Sequence, residues 1–166
     1  MTNTVTLAVW GDFESARGWV EWFRFMEETA RSFGSPLTHF GIKGEGLGKR
    51  TLRSIKSYQK IEASIDSSSV QWLCGYSLPA DFETAVFDFH VYMNRSLADV
   101  SITVKEDFAA ALLNDTGGWF KKAKKFCKCR RGMLFQMDED ETPDLFVSGS
   151  SPMDSFDSLK ILKEFR

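Results

Sequence analysis

Several short stretches carry residue types whose spacing could do chemistry. Asp88, His90, Tyr92 and Asn94 fall at alternate positions, so a strand would set them on one face. An aspartate two residues from a histidine is close enough to support general-base catalysis. No nucleophile accompanies the pair, because no Gly-x-Ser-x-Gly turn is present and Cys74 belongs to the apolar face of its own strand. Surface polar residues on a half-exposed sheet are the simpler reading. Cys127 and Cys129 look like half a metal site that His39 and His90 could complete. Structural zinc asks for two properly spaced ligand pairs, and no second pair exists. If a helix reaches Cys129 it turns the two thiols apart by about 200°, which leaves Cys127 as a small buried apolar residue. Residues 41–48, with Lys49 and Thr51 behind them, invite comparison with a phosphate-binding loop. Gly44 and Gly48 are one residue too close for that motif and Arg50 intrudes, so a plain connecting loop is expected. The sequence therefore predicts no cofactor and no metal.

Two charge blocks remain. Asp138, Glu139, Asp140 and Glu141, with Asp144 just beyond, have neither the central glycine nor the terminal glutamate of a calcium loop. They are adjacent, whereas the paired acids of glycoside hydrolysis are held apart on rigid strands. That leaves a solvated turn protecting a hairpin, or a contact surface for a basic partner. From Trp119 to Arg131 runs a basic segment. On a helix, Trp119, Phe120, Ala123, Phe126 and Cys127 would face a core while Lys121, Lys122, Lys124, Lys125 and Lys128 point to solvent. Nucleic-acid surfaces interleave exposed aromatics with their cations, and lysine lacks the fork of arginine, so nucleic acid is not the expected partner.

Composition narrows the class. The chain has 166 residues, 43% hydrophobic and 14% aromatic, enough for one well-packed domain spanning 1–166. A net charge of −2 argues against binding nucleic acid or membranes over the whole surface. The start, Met1 to Trp10, lacks a basic region and meets Gly11 and Asp12 too soon for a signal peptide. No uncharged apolar run approaches the ~18 residues that span a bilayer. With three cysteines that cannot all pair within the chain, a reduced, cytoplasmic protein is expected.

The positioning elements read as follows. Val5, Leu7 and Val9 alternate, predicting a strand. Ser15 is placed to cap a helix to about Phe33, ended by Gly34 to Pro36, with Trp19, Trp22, Phe23, Met26 and Ala30 on one stripe. Phe25 sits just outside that stripe and is a candidate exposed aromatic. Thr51–Ile65 favours a helix. Val70–Leu78, Ala85–Met93 and Val100–Val104 alternate as three strands of an antiparallel meander. Glu106 to Leu113 predicts a short helix. Met133–Met137 and Leu145–Val147 suit a final strand pair flanking the acidic block, and Asp154–Phe165 a terminal helix. The sum is an α+β domain: a mostly antiparallel sheet with helices packed on one face.

Taken whole, the chain resembles the immunity proteins of bacterial polymorphic toxin systems, delivered by contact-dependent inhibition or type VI secretion. The resemblance lies in the opening strand and Trp-rich helix (Val5–Phe33), the strands Phe87–Met93 and Val100–Val104, and the closing pair around Gly132–Met137 and Leu145–Gly149. It implies a small, cytoplasmic, non-enzymatic protein that binds one cognate toxin domain. Many such toxins are basic nucleases, which an acidic loop would steer and hold. Asp138, Glu139, Asp140, Glu141 and Asp144 are then the expected toxin contacts, with Phe25 as an aromatic anchor. The alternative is a small enzyme or ligand-binding domain built on Asp88, His90 and Tyr92, which requires those side chains to converge in a pocket.

Overall fold

The computed structural model describes residues 2–12, 18–45, 51–66 and 69–166. Along them run β1 (Asn3–Asp12), α1 (Trp19–Ser32), β2 (His39–Glu45), β3 (Thr51–Ser54), α2 (Tyr58–Asp66), β4 (Ser69–Ser77), α3 (Ala85–Asp88), β5 (Val91–Arg95), β6 (Asp99–Lys105), α4 (Ala109–Leu113), α5 (Thr116–Ala123), β7 (Lys128–Asp138), α6 (Pro143–Val147) and β8 (Lys160–Phe165). The eight strands make one antiparallel sheet in the order β3-β2-β4-β5-β6-β1-β7-β8. The α+β class and the β4-β5-β6 meander are as the alternating patterns predict. No helix among the described residues is long and apolar enough to cross a membrane.

β1 lies between β6 and β7, and its alternation builds both sides of the sheet. Val5, Leu7 and Val9 join Val100, Ile102, Val104, Met93 and Leu134 on the face covered by α1, α2, α4 and α5. Trp22, Phe23, Met26 and Ala30 are the buried stripe of α1 there, and Trp22 Nε1 donates to Leu73 O at 3.0 Å, tying helix to sheet. Gly34, at φ +82°, ends α1: its N–H donates to Arg31 O and that of Ser35 to Ala30 O, which satisfies two terminal carbonyls. At the other end, buried Arg95 donates to Gly18 O and lies 4.2 Å from the Trp19 ring; burial lowers its pKa to about 10.

The opposite face carries two smaller apolar clusters. One gathers Ala8, Met133, Phe135, Met137, Phe146, Val147 and Phe156 under α6. The other joins Cys74, Leu78, Phe89 and Tyr92 beside α3. Between them runs a buried polar seam in which Thr6 Oγ1 and Thr103 Oγ1 are 2.9 Å apart and Asn94 Nδ2 donates to Asp99 Oδ1 at 3.0 Å.

Several local expectations are corrected. Ser15 lies outside the described residues; α1 begins at Trp19 with Gly18 as its cap. Residues 41–45, expected as part of a loop, belong to β2, while 46–50 lie outside the described residues. Glycines serve this strand: a Cβ on Gly41 would come within 2.7 Å of the Trp72 ring, and one on Gly44 would overlap Ser69 O at a bulge. Thr51–Ile65 is split into β3 and α2, because pairing with β2 claims its first residues. Ala85–Asp88 is helical: the N–H groups of Glu83 and Thr84 donate to Asp88 Oδ2 and draw the chain into a turn. The basic helix stops at Ala123. Residues 128–131 are strand, because they pair with Trp10–Asp12 of β1. Leu145–Val147 is helical, since Pro143 at the first position presets φ and the turn buries Phe146 and Val147. The C-terminus is a strand. Phe156, Leu159 and Phe165, though spaced by threes, belong to different segments: Phe156 and Leu159 pack near α6, and Phe165 stacks on Phe120 at 4.3 Å.

That stack gives a stability test. A Cβ at Gly132 would overlap Phe120 Cε2, so Gly132→Ala overpacks the α5–β7–β8 contact and should cost about 1–3 kcal/mol. Gly117→Ala, in α5 with nothing within 4 Å, should instead be neutral or stabilising by up to about 1 kcal/mol. Urea unfolding of both variants measures the contrast.

Candidate functional site

The register of the sheet decides what meets at the end where β5 begins and β6 finishes. Val91 pairs with Val104, so residues 88–90 lie against 105–107; Lys105 N–H donates to His90 O at 3.0 Å. Thr4 pairs with Lys105 and with Met137, which brings Thr2 and Glu139 to the same end. The outcome is an open cleft of about 630 Å³ whose lining includes Asp88, Glu106, Asp107 and Glu139, with Lys105, His90 and Phe108 among them. Four carboxylates face one lysine there. Lys105 pairs with Glu139 and lies 5.2 Å from the Phe89 ring; burial holds its pKa below the usual lysine value, against the pull of Asp88 and Asp140. Hydrogen bonds from the Thr84 and Glu83 N–H groups hold Asp88 below the usual carboxylate range.

The acidic block is an extension of this cleft and much of it is engaged within the chain. Asp138 ends β7 half-buried, with Oδ1 lacking a hydrogen-bond partner among the described residues and its N–H donating to Ser158 Oγ. Glu139 holds Lys105. Glu141 accepts from the N–H groups of Asp157 and Ser158 and from the Ser158 hydroxyl, and these bonds lower its pKa. Only Asp140 of the four is exposed. Asp144 is half-buried in the first turn of α6, on the far side of Phe89, where it lines a second cavity with Tyr76, Phe89 and Tyr92. Phe25 belongs to neither place. It is half-buried, stacked on Phe126 at 5.0 Å, and lines a groove of about 570 Å³ between α1 and α5 with Trp119, Glu28 and Lys122.

The Asp88, His90 and Tyr92 constellation is divided. Asp88 and His90 line the acidic cleft, whereas Tyr92 stacks on Tyr76 at 4.6 Å and lines the other cavity. His90 Nδ1 lies 3.1 Å from Ser35 Oγ, a contact the sequence does not reveal because 55 residues separate the two. Ser35 is buried and its hydroxyl also meets that of Ser77, so the contact ties the end of α1 to the sheet. The cysteines are free. Burial raises the Cys127 thiol to about 12, with Cys129 adding to the shift, so it stays protonated. His39 bonds to Thr38 and Ser54, and its strand β2 is separated from β7 by four others. No group of three or more His, Cys, Asp or Glu among the described residues is placed to hold a metal ion.

Comparison with known proteins finds no family model, no curated protein and no solved structure that matches this chain.

Asp99, the buried first residue of β6, gives a pH test. Burial, with Asp144 adding its charge, raises its pKa to about 6. Between pH ~4 and ~6 the unfolded chain has released this proton while the folded chain keeps it. The contribution of Asp99 to stability therefore falls as pH rises through that window and is constant above it. A carboxyl pKa raised this far is worth about 2–3 kcal/mol. Asp99→Asn retains an oxygen for Asn94 and Ser96, and should gain that much on the parent between pH ~4 and pH ~7 in denaturant titrations.

Proposed function

We propose that the chain is a non-enzymatic protein of the immunity type, which binds and neutralises a basic bacterial toxin domain in the cytoplasm and meets it with the acidic cleft. One observation carries this reading. A chain of net charge −2 concentrates Asp88, Glu106, Asp107 and Glu139 around one concavity, with exposed Asp140 close by. Carboxylates gathered around one concavity raise the local negative potential and speed the approach of a cationic surface. Phe87, 40% exposed, lines the cleft and supplies apolar area of the kind that holds a partner once it has arrived.

This reading moves the contact from the acidic turn to the cleft beside it. Glu139 and Glu141 work first for the fold, and Asp140 is the one residue of that turn open to a partner. Glu106 and Asp107, which the sequence offers only as a helix start, become the accessible acids. Phe25 lies on another surface and is not part of the proposed contact.

Protection of cells is the test. Open reading frames adjoining the gene for this chain are screened for a toxic product, and any toxin found is expressed in bacteria with and without the chain. Protection is expected, and the purified pair should bind more weakly as salt rises. Glu106→Lys with Asp107→Lys should weaken binding ~10-fold or more, mainly through slower association. Lys121→Glu with Lys128→Glu should leave it near the parent value. If protection and affinity survive the acidic reversal, the cleft is not the contact surface; if no toxin is neutralised, the immunity reading itself fails.

A further inference from the structure

On the other side of Phe89 from the acidic cleft is a smaller cavity of about 110 Å³ between α3 and α6. Tyr76, Phe89 and Tyr92 wall it, and Thr103, Pro143 and Asp144 complete the part that matters here. Two of the rings stack on each other and the third is tilted to them. Tyr76 and Tyr92 stack at 4.6 Å and 26°, while Phe89 is tilted 51° to Tyr92 at 5.8 Å. Among the described residues, Asp144 is the one charged side chain lining it.

Aromatic faces carry negative charge density and attract cations, the more strongly when water is excluded. A carboxylate at the margin selects the same sign. An anion would be repelled by it. Phe89 already meets a cation from its cleft side, where Lys105 Nζ lies 5.2 Å from the ring centre. Size narrows the choice. A cavity of about 150 Å³ is enough to hold a benzene ring, so about 110 Å³ suits a planar four-atom guanidinium. Guanidinium also stacks on tyrosine and pairs with a carboxylate through a fork that ammonium lacks.

We propose that this socket takes the guanidinium of one arginine side chain, held within the aromatic wall of Tyr76, Phe89 and Tyr92 with its N–H groups directed to Asp144. The inference rests on the proposed function only for the source of that arginine, an anchor on the surface of the basic partner. The acidic cleft then steers the partner in, and the socket beside it fixes where it docks.

The test needs no partner. The full chain is titrated with N-acetyl-arginine-N-methylamide and, separately, with the lysine and citrulline analogues, while ring and backbone NMR signals are followed. The arginine probe is expected to bind in the millimolar range and to shift Tyr76, Phe89, Tyr92 and Asp144. Citrulline, the same shape without charge, should bind at least ~10-fold more weakly, with lysine between them. Asp144→Asn, on a half-buried residue of a short helix, should reduce arginine binding by a similar factor; Tyr92→Leu is the second variant, each checked for an unchanged fold by its remaining signals. Equal binding of citrulline, an unchanged affinity in Asp144→Asn, shifts confined to Glu106 and Asp107, or no binding at all would each overturn the proposal. Arginine binding without toxin protection would keep the socket and remove the immunity reading, and protection without arginine binding would do the reverse.

Discussion

β1 has neighbours on both edges and side chains buried on both faces, and most of the molecule follows from that. A strand in this position has no water to satisfy its amides, so each must be met by β6 or β7. Two stretches well apart in the sequence are thereby forced to flank the N-terminus. Their ends then determine which side chains meet. The acidic cleft exists because Thr4 pairs with both Lys105 and Met137, gathering the ends of three strands at one margin of the sheet. Neither Glu106 nor Asp107 has any reason in its own neighbourhood to stand beside Glu139.

The two faces of β1 divide the work. Val5, Leu7 and Val9 enter the large core under the helices. Thr4, Thr6 and Ala8 are small, and on their side α6 can come close to the sheet, with Phe146 against Phe135 at 4.8 Å and Trp10 Nε1 donating to Val147 O at 2.7 Å. Burial on the second face comes at the cost of polar groups in the seam, and Asp99 is the one whose charge suffers most. The acids of the chain thus fall into two kinds. Some hold the chain in place: Glu139 through Lys105, Glu141 through the segment before β8, and Asp88 through the turn at Glu83. Others, such as Glu106, Asp107 and Asp140, are left to solvent.

Strong periodic patterns were legible in the sequence and mixed ones were not. α1 reads clearly because its stripe of Trp22, Phe23, Met26 and Ala30 repeats along the helix, and β6 because its alternation is unbroken. The run from Ala85 to Met93 alternates as well, yet its first half is a helix turned by Asp88. Four residues of alternation cannot separate a strand from a turn closed by a side chain. The same limit hid α6, where Pro143 is the better signal than the three apolar residues that follow. In β4 the alternation breaks at the bulge opposite Lys43 and Gly44, which is why Val70 and Leu73 share the large core although they stand an odd three positions apart. As for the candidate sites, the acidic block announces itself in the sequence. That it is partly consumed by Lys105 and Ser158 does not, because both partners arrive through strand pairing.

The last strand has a consequence of its own. β8 closes one margin of the sheet, and its outer row of amides and carbonyls is a template onto which any extended chain could add. Ile161 and Leu162 are 41% and 38% exposed along it, the composition of a segment that self-associates. Lys160, Lys163 and Glu164 interrupt that row with charges that an added strand would have to strip of water. Arg53 stands on β3, at the opposite margin. The sheet is thus guarded at both ends against growing into a fibre.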